Sequence, residues 1–426
     1  MRVLIINTTE RQGGPAIAAY RLTEALKSNG IKAKMLVREK ETDKVTTIAI
    51  DKSLGAKRAL FIEKIRLNAQ NKLGRQHRYR LDLGTAGEDI TGLPEFRQAD
   101  IVHLHWINDG MISLHMLQRI IDSGKPLVWT LHDMWPFTGI CHYAHDCDNY
   151  MKHCGSCPQL NSSRERDLAY RFFDKKNNIL QRSPSIRFIA CSEWLKEMAR
   201  KSSLLRGMDI TCIPNAVDTR LFHKRDKQSA RTELRLPSDR RLLLFSSESV
   251  ADRRKGFDYL ADALRELAVA HPEWKEQMGL VVLGRDSEKV SFDGIPFPVY
   301  PLQYVSDEKL MTKVYSAVDL YTIPSVQDNL PNTIVEAMAC GIPCIGFNVG
   351  GIPEMIDHLH NGFIADYKNT HNFAEGIHWL LTEGDYDMLS CEALRKAHTT
   401  YSETSVANAH IAVYNQMLEK QHYRRD

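Results

Sequence analysis

Nowhere do the 426 residues gather the ~20 consecutive apolar side chains that a membrane-crossing helix needs. The apolar run near the start, Val3 to Ile6, is too short for a secretion signal, so a cytosolic protein is expected. Charge of one sign is missing as well: 56 Lys and Arg face 53 Asp and Glu, a formal net charge of +3. That balance gives no global reason to expect a nucleic-acid partner. Cysteine is sparse, nine in the whole chain, which excludes a disulfide scaffold. Internal repeats and low-complexity tracts are absent. Only Gly13-Gly14 follows the first apolar run, without the full Gly-x-Gly-x-x-Gly fingerprint, which argues against a dinucleotide dehydrogenase.

What is present is ordinary globular composition, 43% hydrophobic and 26% charged. The length suits two or three domains at ~150 residues each. Short β-branched runs at 2–7, 32–37, 101–106, 127–132 and 186–191 read as strands, with amphipathic stretches between them. Residues 15–28 read as a helix stopped by Gly30, and Ser192 as a helix N-cap. The pattern pauses at 213–218. Residues 219–240 are charge-rich and poor in apolar side chains, and read as a linker. It restarts with strands expected at 242–246, 279–283, 318–323 and 344–347. Alternating strands and helices imply βαβ units and parallel sheets. The expected class is α/β, with two doubly wound domains, 1–218 and 241–404, facing a central cleft. Ligands of such sheets sit beyond the C-terminal strand ends.

The segment 324–343 is the most informative. Pro331 suits the first turn of a helix, and Gly341 followed by Pro343 stops it. Asp328 then lies in the loop before the helix and Glu336 within it. From Pro331 to Glu336 the helix would rise ~7.5 Å, about the length of a diphosphate. The free N–H groups and dipole at a helix start favour anions.

This segment resembles the acidic-x7-acidic motif of the retaining family 4 glycosyltransferases of GT-B fold. The usual first acid there is Glu; here it is Asp328, with a shorter arm. Gly13-Gly14 resembles the family's first glycine loop. Residues 213–218 resemble its Pro-Asn-Gly-Val-Asp hinge, with Ala216 in place of the glycine. Residues 305–310 resemble the segment near the base, and Gly350-Gly351 with Glu354 the second glycine loop. The resemblance implies two Rossmann-like domains, with the C-terminal one binding the nucleotide sugar and a last helix, 405–426, rejoining the first. It implies that Asp328 binds hydroxyls of the transferred sugar and Glu336 holds the ribose. Asn329, Leu330 and Thr333 would line the sugar and diphosphate, with Gly13 and Gly14 near the phosphates. Lys255, in the cationic run Arg253-Arg254-Lys255, is assigned to the diphosphate. The usual earlier Arg is absent, so Arg254, or alternatively Arg253, is expected to replace it.

His132 ends an apolar run and matches a family His near the donor sugar. His103 and His105, on one face of the preceding strand, are expected on the acceptor side. The chain also resembles the capsule and exopolysaccharide (colanic-acid-type) members of that family. The implied reaction moves a sugar from a UDP- or GDP-linked donor to a saccharide acceptor, lipid-linked in such pathways, without a catalytic metal. A nucleotide-sugar epimerase of the same architecture and a non-catalytic nucleotide- or sugar-binding protein remain as alternatives.

Two features lie apart from the donor-site motifs. Cys141, Cys147, Cys154 and Cys157 fall within 17 residues, ending in Cys-Gly-Ser-Cys. Four thiolates suit a closed, structural zinc site; two disulfides or plain thiols are the other readings. Residues 57–80 carry eight Lys and Arg (Lys57, Arg58, Lys64, Arg66, Lys72, Arg75, Arg78, Arg80) against one acid, Glu63. With Leu60, Phe61, Ile65, Leu67 and Leu73 interleaved, this segment is expected to touch an anionic membrane surface.

Overall fold

The computed structural model describes residues 1–50, 53–71, 81–182, 185–285, 287, 290–303, 305 and 307–422. The chain divides into two compact units, Met1–Pro214 with Val406–Asp426, and Asn215–Ser405.

Unit 1 is built on seven strands: β1 (Arg2–Ile6), β2 (Lys32–Val37), β3 (Thr47–Ala49), β4 (Ile101–Leu104), β5 (Leu127–Leu131), β6 (Arg187–Ala190) and β7 (Ile210–Cys212). Their order is β3-β2-β1-β4-β5-β6-β7, and every pair is parallel. Burial on both faces explains their continuous apolar runs, as in Val3–Ile6. The chain leaves β1 through Gly13, the N-cap of the helix Gly14–Ser28. Ser192 caps the helix Glu193–Lys201 by accepting from Leu195 N at 3.0 Å.

The last helix, Glu403–His422, belongs to this unit from Val406 onward. Val406, His410, Val413, Tyr414 and Met417 recur at helical spacing and are all buried. Tyr414 Oη meets His103 Nδ1 at 2.7 Å, tying the C-terminus to the centre of the sheet.

Unit 2 has six strands: β8 (Arg241–Ser249), β9 (Met278–Arg285), β10 (Val299–Leu302), β11 (Leu320–Ile323), β12 (Cys344–Phe347) and β13 (Gly362–Ala365). They run parallel in the order β10-β9-β8-β11-β12-β13. In both units the order reverses beside the first strand, between β1 and β4 and between β8 and β11. Those are the crevices where doubly wound sheets take ligands.

The expected linker 219–240 is corrected. It contains the helix Lys227–Leu234, capped by Asp226. That helix looks polar because its anchor is an ion pair rather than an apolar stripe. Arg231, 3% exposed, donates to Asp319 Oδ2 at 2.7 Å and to the carbonyls of Ala317, Ser238 and Arg240. Pro331 is also corrected: it is the N-cap, and the helix proper is Asn332–Ala339.

Candidate active site

In unit 2, the strand ends at the crossover bring the 253–255 turn against the loop after β11. Asp252 opens that turn by accepting from Arg254 N at 3.0 Å, and Gly256 closes it with φ +73°. A Cβ on Gly256 would stand 1.9 Å from Pro324 O, so only glycine permits this approach. Its result is ionic. Lys255 Nζ donates to Asp328 Oδ2 at 2.6 Å, and Arg254 Nη1 lies 3.4 Å from the same oxygen while donating to Gln327 O at 2.9 Å. Arg253 is exposed, so Arg254 is the arginine that joins the cluster.

The second glycine loop closes on the same residue. Gly350, at φ +61°, leaves room for Asp328 O where a Cβ would come within 1.8 Å, and Gly351 N donates to that carbonyl at 3.2 Å. Burial alone would raise the Asp328 carboxyl, but Lys255 and Arg254 outweigh it and hold the group below its usual range. Burial lowers the Lys255 ammonium, and Asp328 offsets only part of that. The group is an ion cluster drawn from three segments, held with its charges in place.

Eight residues on, Glu336 sits in the second turn of Asn332–Ala339 and is 5% exposed. Tyr315, fully buried in the helix Glu308–Ala317, donates its hydroxyl to Glu336 Oε2 at 2.9 Å. The Tyr321 hydroxyl lies between Ser246 Oγ, at 3.2 Å, and the Thr333 hydroxyl. Asn329 and Leu330 are buried beside Asp328. Asn332 Oδ1 accepts from Asn215 Nδ2 at 3.0 Å.

Sequence reasoning missed three residues here. Tyr315 gave no sign of its role, since a tyrosine in an amphipathic helix reads as core. Ser247 Oγ and Gln327 Oε1 are buried and lack partners among the described residues. Such groups are rare in folded proteins and mark where hydrogen bonds remain to be supplied.

In unit 1, the strand ends carry neutral rings instead. His103 is in the core, bonded to Tyr414 Oη and to Thr130 Oγ1 at 2.7 Å, so it serves the sheet rather than an acceptor. His105 Nδ1 meets His132 Nε2 at 2.8 Å, and the two rings stack. His105 Nε2 is buried with no partner among the described residues. An orphaned N–H costs more than a bare lone pair, which puts the His105 proton on Nδ1, donated to His132. His132 then carries its own proton on Nδ1, 3.6 Å from Cys191 Sγ. Burial lowers the His132 pKa to about 4 despite Asp133 beside it. Asp133 itself is taken up by His142 Nδ1 at 2.7 Å, Trp106 Nε1 at 3.0 Å and Trp135 N at 2.8 Å.

All four cysteines of the 141–157 loop are free thiols. Among the described residues no group of three or more His, Cys, Asp and Glu side chains already stands ready to hold a metal ion. Of the segment resembling the base-binding region, Ser306 lies outside the described residues.

Comparison with known proteins identifies the family and the fold. Residues 12–221 match the family described as Glycosyltransferase Family 4, and residues 240–383 match Glycosyl transferases group 1. The chain belongs to the family 4 glycosyltransferases. An uncharacterized glycosyltransferase of Methanocaldococcus jannaschii is 24% identical over 351 residues, 78% of this chain and 87% of that one. The fold is GT-B. Sucrose-phosphate synthase from Thermosynechococcus elongatus superposes with TM-score 0.67 at 17% identity, covering 98% of this chain and 99% of that one. Anabaena HepE in complex with UDP-glucose does so with TM-score 0.61 at 15% identity, covering 99% and 100%. As a glycosyltransferase, the chain has its acidic-x7-acidic pair in unit 2, and the cations expected for a leaving diphosphate already stand against the first acid.

Proposed function

We propose that this glycosyltransferase retains anomeric configuration and moves a sugar from a UDP- or GDP-linked donor to a saccharide on a lipid carrier, in capsule or exopolysaccharide synthesis. The observation that carries the donor half is the Lys255–Asp328–Arg254 cluster with Glu336 one short helix away. Lys255 and Arg254 take the charge that develops as the nucleoside diphosphate leaves. Once the phosphates draw the cations off, Asp328 turns its oxygens to the sugar hydroxyls. Glu336, oriented by Tyr315, holds the ribose. Asn329, Leu330 and Thr333 line the path between. HepE, bound to UDP-glucose, supports a UDP-linked donor. The protein supplies position and charge rather than a covalent step, with the leaving phosphate taking the acceptor proton.

The lipid-linked half rests on the helix Leu54–Asn71. No helix among the described residues is long and apolar enough to cross a membrane. This one, however, exposes Leu54, Phe61, Ile62 and Ile65 along one stripe, with Phe61 66% exposed. Lys57 and Lys64 flank the stripe on one side, Arg66 on the other, and Arg58 lies within it. Glu63, the only acid of the helix, points inward and is bonded to Leu83 N and Thr85 N at 2.8 Å. An apolar stripe edged only by cations suits an anionic bilayer at its cytoplasmic face. Lys72, Arg75, Arg78 and Arg80, the rest of that basic segment, lie outside the described residues.

A thermal-shift panel of nucleoside diphosphates and nucleotide sugars tests the donor. A ligand at about 100 times its Kd should stabilise the fold by ~2.7 kcal/mol. Transfer to a lipid-linked but not to a free saccharide supports the acceptor. Donor isomerisation without transfer would favour an epimerase, and binding without turnover a non-catalytic protein.

A further inference from the structure

The cysteine loop has no part in the donor chemistry, and what it builds is a separate centre. Cys141, Cys147, Cys154 and Cys157 all line one cavity of about 20 Å³, between the 138–141 turn and the 154–158 turn. That is room for a single water-sized occupant. The walls offer almost no nitrogen or oxygen. A buried water needs two to four polar partners and would find few here, whereas a soft divalent cation binds sulfur.

The nearby imidazoles are engaged elsewhere. His142 is paired with Asp133, and His153 Nδ1 donates to Cys154 O while its Nε2 is paired with Asp174 Oδ1, both at 2.7 Å. The backbone is drawn tight around the sulfurs: Gly139 N donates to Cys154 Sγ at 3.2 Å, and Cys157 N to Asp167 Oδ2 at 2.7 Å.

A buried charge supplies the second, independent observation. Lys176 is 3% exposed and its ammonium donates to Trp135 O at 2.6 Å and Thr138 O at 3.1 Å, with Nζ 3.6 Å above the Trp135 ring. Burial lowers its pKa to about 7, although Asp82, then Cys141, Cys154 and Asp133, act in the opposite direction. These charges do not make up for burial, so a further negative centre beside the ammonium would stabilise it.

We propose that the four cysteines bind one zinc ion as a tetrahedral, all-sulfur structural site, with Lys176 as its counter-cation. The thiols now ring the cavity, and ligation draws them inward onto the metal. Binding forms four Zn–S bonds and releases four thiol protons to solvent, with no change of oxidation state. The neutral thiol set becomes a centre of net charge −2, which offsets Lys176. The centre also reaches the strand ends: Cys141 precedes His142, His142 holds Asp133, and Asp133 follows His132. This inference does not depend on the proposed reaction.

Elemental analysis of the full chain, purified without added metal, tests it. About one zinc per chain is expected. Cobalt(II) exchanged into the site should show the intense visible bands of sulfur ligation. Cys154→Ser with Cys157→Ser should lose the metal, while Cys391→Ser, at an exposed thiol, should keep it. If the double variant fails to fold, the metal content and cobalt spectrum of the unaltered chain still decide. Metal below about a tenth of an equivalent, with the four thiols open to alkylation, would overturn the proposal; so would two disulfides in the native protein.

Discussion

The two units share a doubly wound parallel sheet, yet their strand ends differ in electrical character. Unit 2 collects Lys255, Arg254 and Asp328 as a charged cluster. Unit 1 collects His103, His105, His132 and His410, all held neutral by burial. The same fold therefore presents fixed charge in one place and uncharged, hydrogen-bonded rings in the other. Fixed charge suits an anionic leaving group. Neutral rings suit orientation of uncharged hydroxyls.

The contrast breaks most sharply at Lys255. Lys255→Ala should lower turnover at saturating donor by ~10²–10³, because the diphosphate loses its nearest cation in the transition state. Steady-state kinetics with excess donor checks this; near-normal kcat would remove Lys255 from the reaction.

Acid separates the units next. An unfolded histidine protonates near 6.5, whereas folded His132 does so only at about 4. Its contribution is complete above 6.5 and is lost as pH falls toward 4, on the order of 3 kcal/mol. His410 presses it further down, and Asp133 does not offset the burial. Asp328, held low by its cations, contributes stability that persists until pH falls below the ordinary carboxylate range. Hydrogen exchange followed from neutral to mildly acid pH should thus loosen unit 1 before unit 2. Simultaneous loosening would contradict the assignment of neutral and charged clusters.

Glu336→Ala should cost ~1.5–3 kcal/mol in nucleotide binding while leaving the fold intact, as read by calorimetry and circular dichroism. The smallest effect belongs to Tyr315→Phe. Removing its single hydroxyl should cost ~0.5–1.5 kcal/mol in the same titration, since Glu336 stays but loses the group that orients it.

The interior of each sheet was legible in the sequence and the edges were not. All nine strands expected from apolar runs are present, and each lies inside its sheet. The four strands that were missed, β3, β7, β10 and β13, are the edges. Edge strands here are three or four residues long, and β10 contains Pro301, so they lack the long apolar signal of a strand buried on both faces. The linker error has the same root: Arg231–Asp319 anchors a helix that apolar periodicity cannot reveal. At the site, Asp328 and Glu336 were readable because their spacing in the chain is tied to one loop and one helix, and Lys255 because it stands in a cationic run after a strand. The His105–His132 contact and the Tyr315–Glu336 bond were not, because each joins residues from separate elements.

Titration of UDP and GDP into the unaltered chain, Glu336→Ala with Lys255→Ala, and His132→Ala tests the central claim most directly. The account predicts that the unit 2 double variant loses most affinity for the nucleotide that binds the unaltered chain, while His132→Ala stays within about threefold, well under 1 kcal/mol. Retained affinity in the double variant, with loss in His132→Ala, would contradict it.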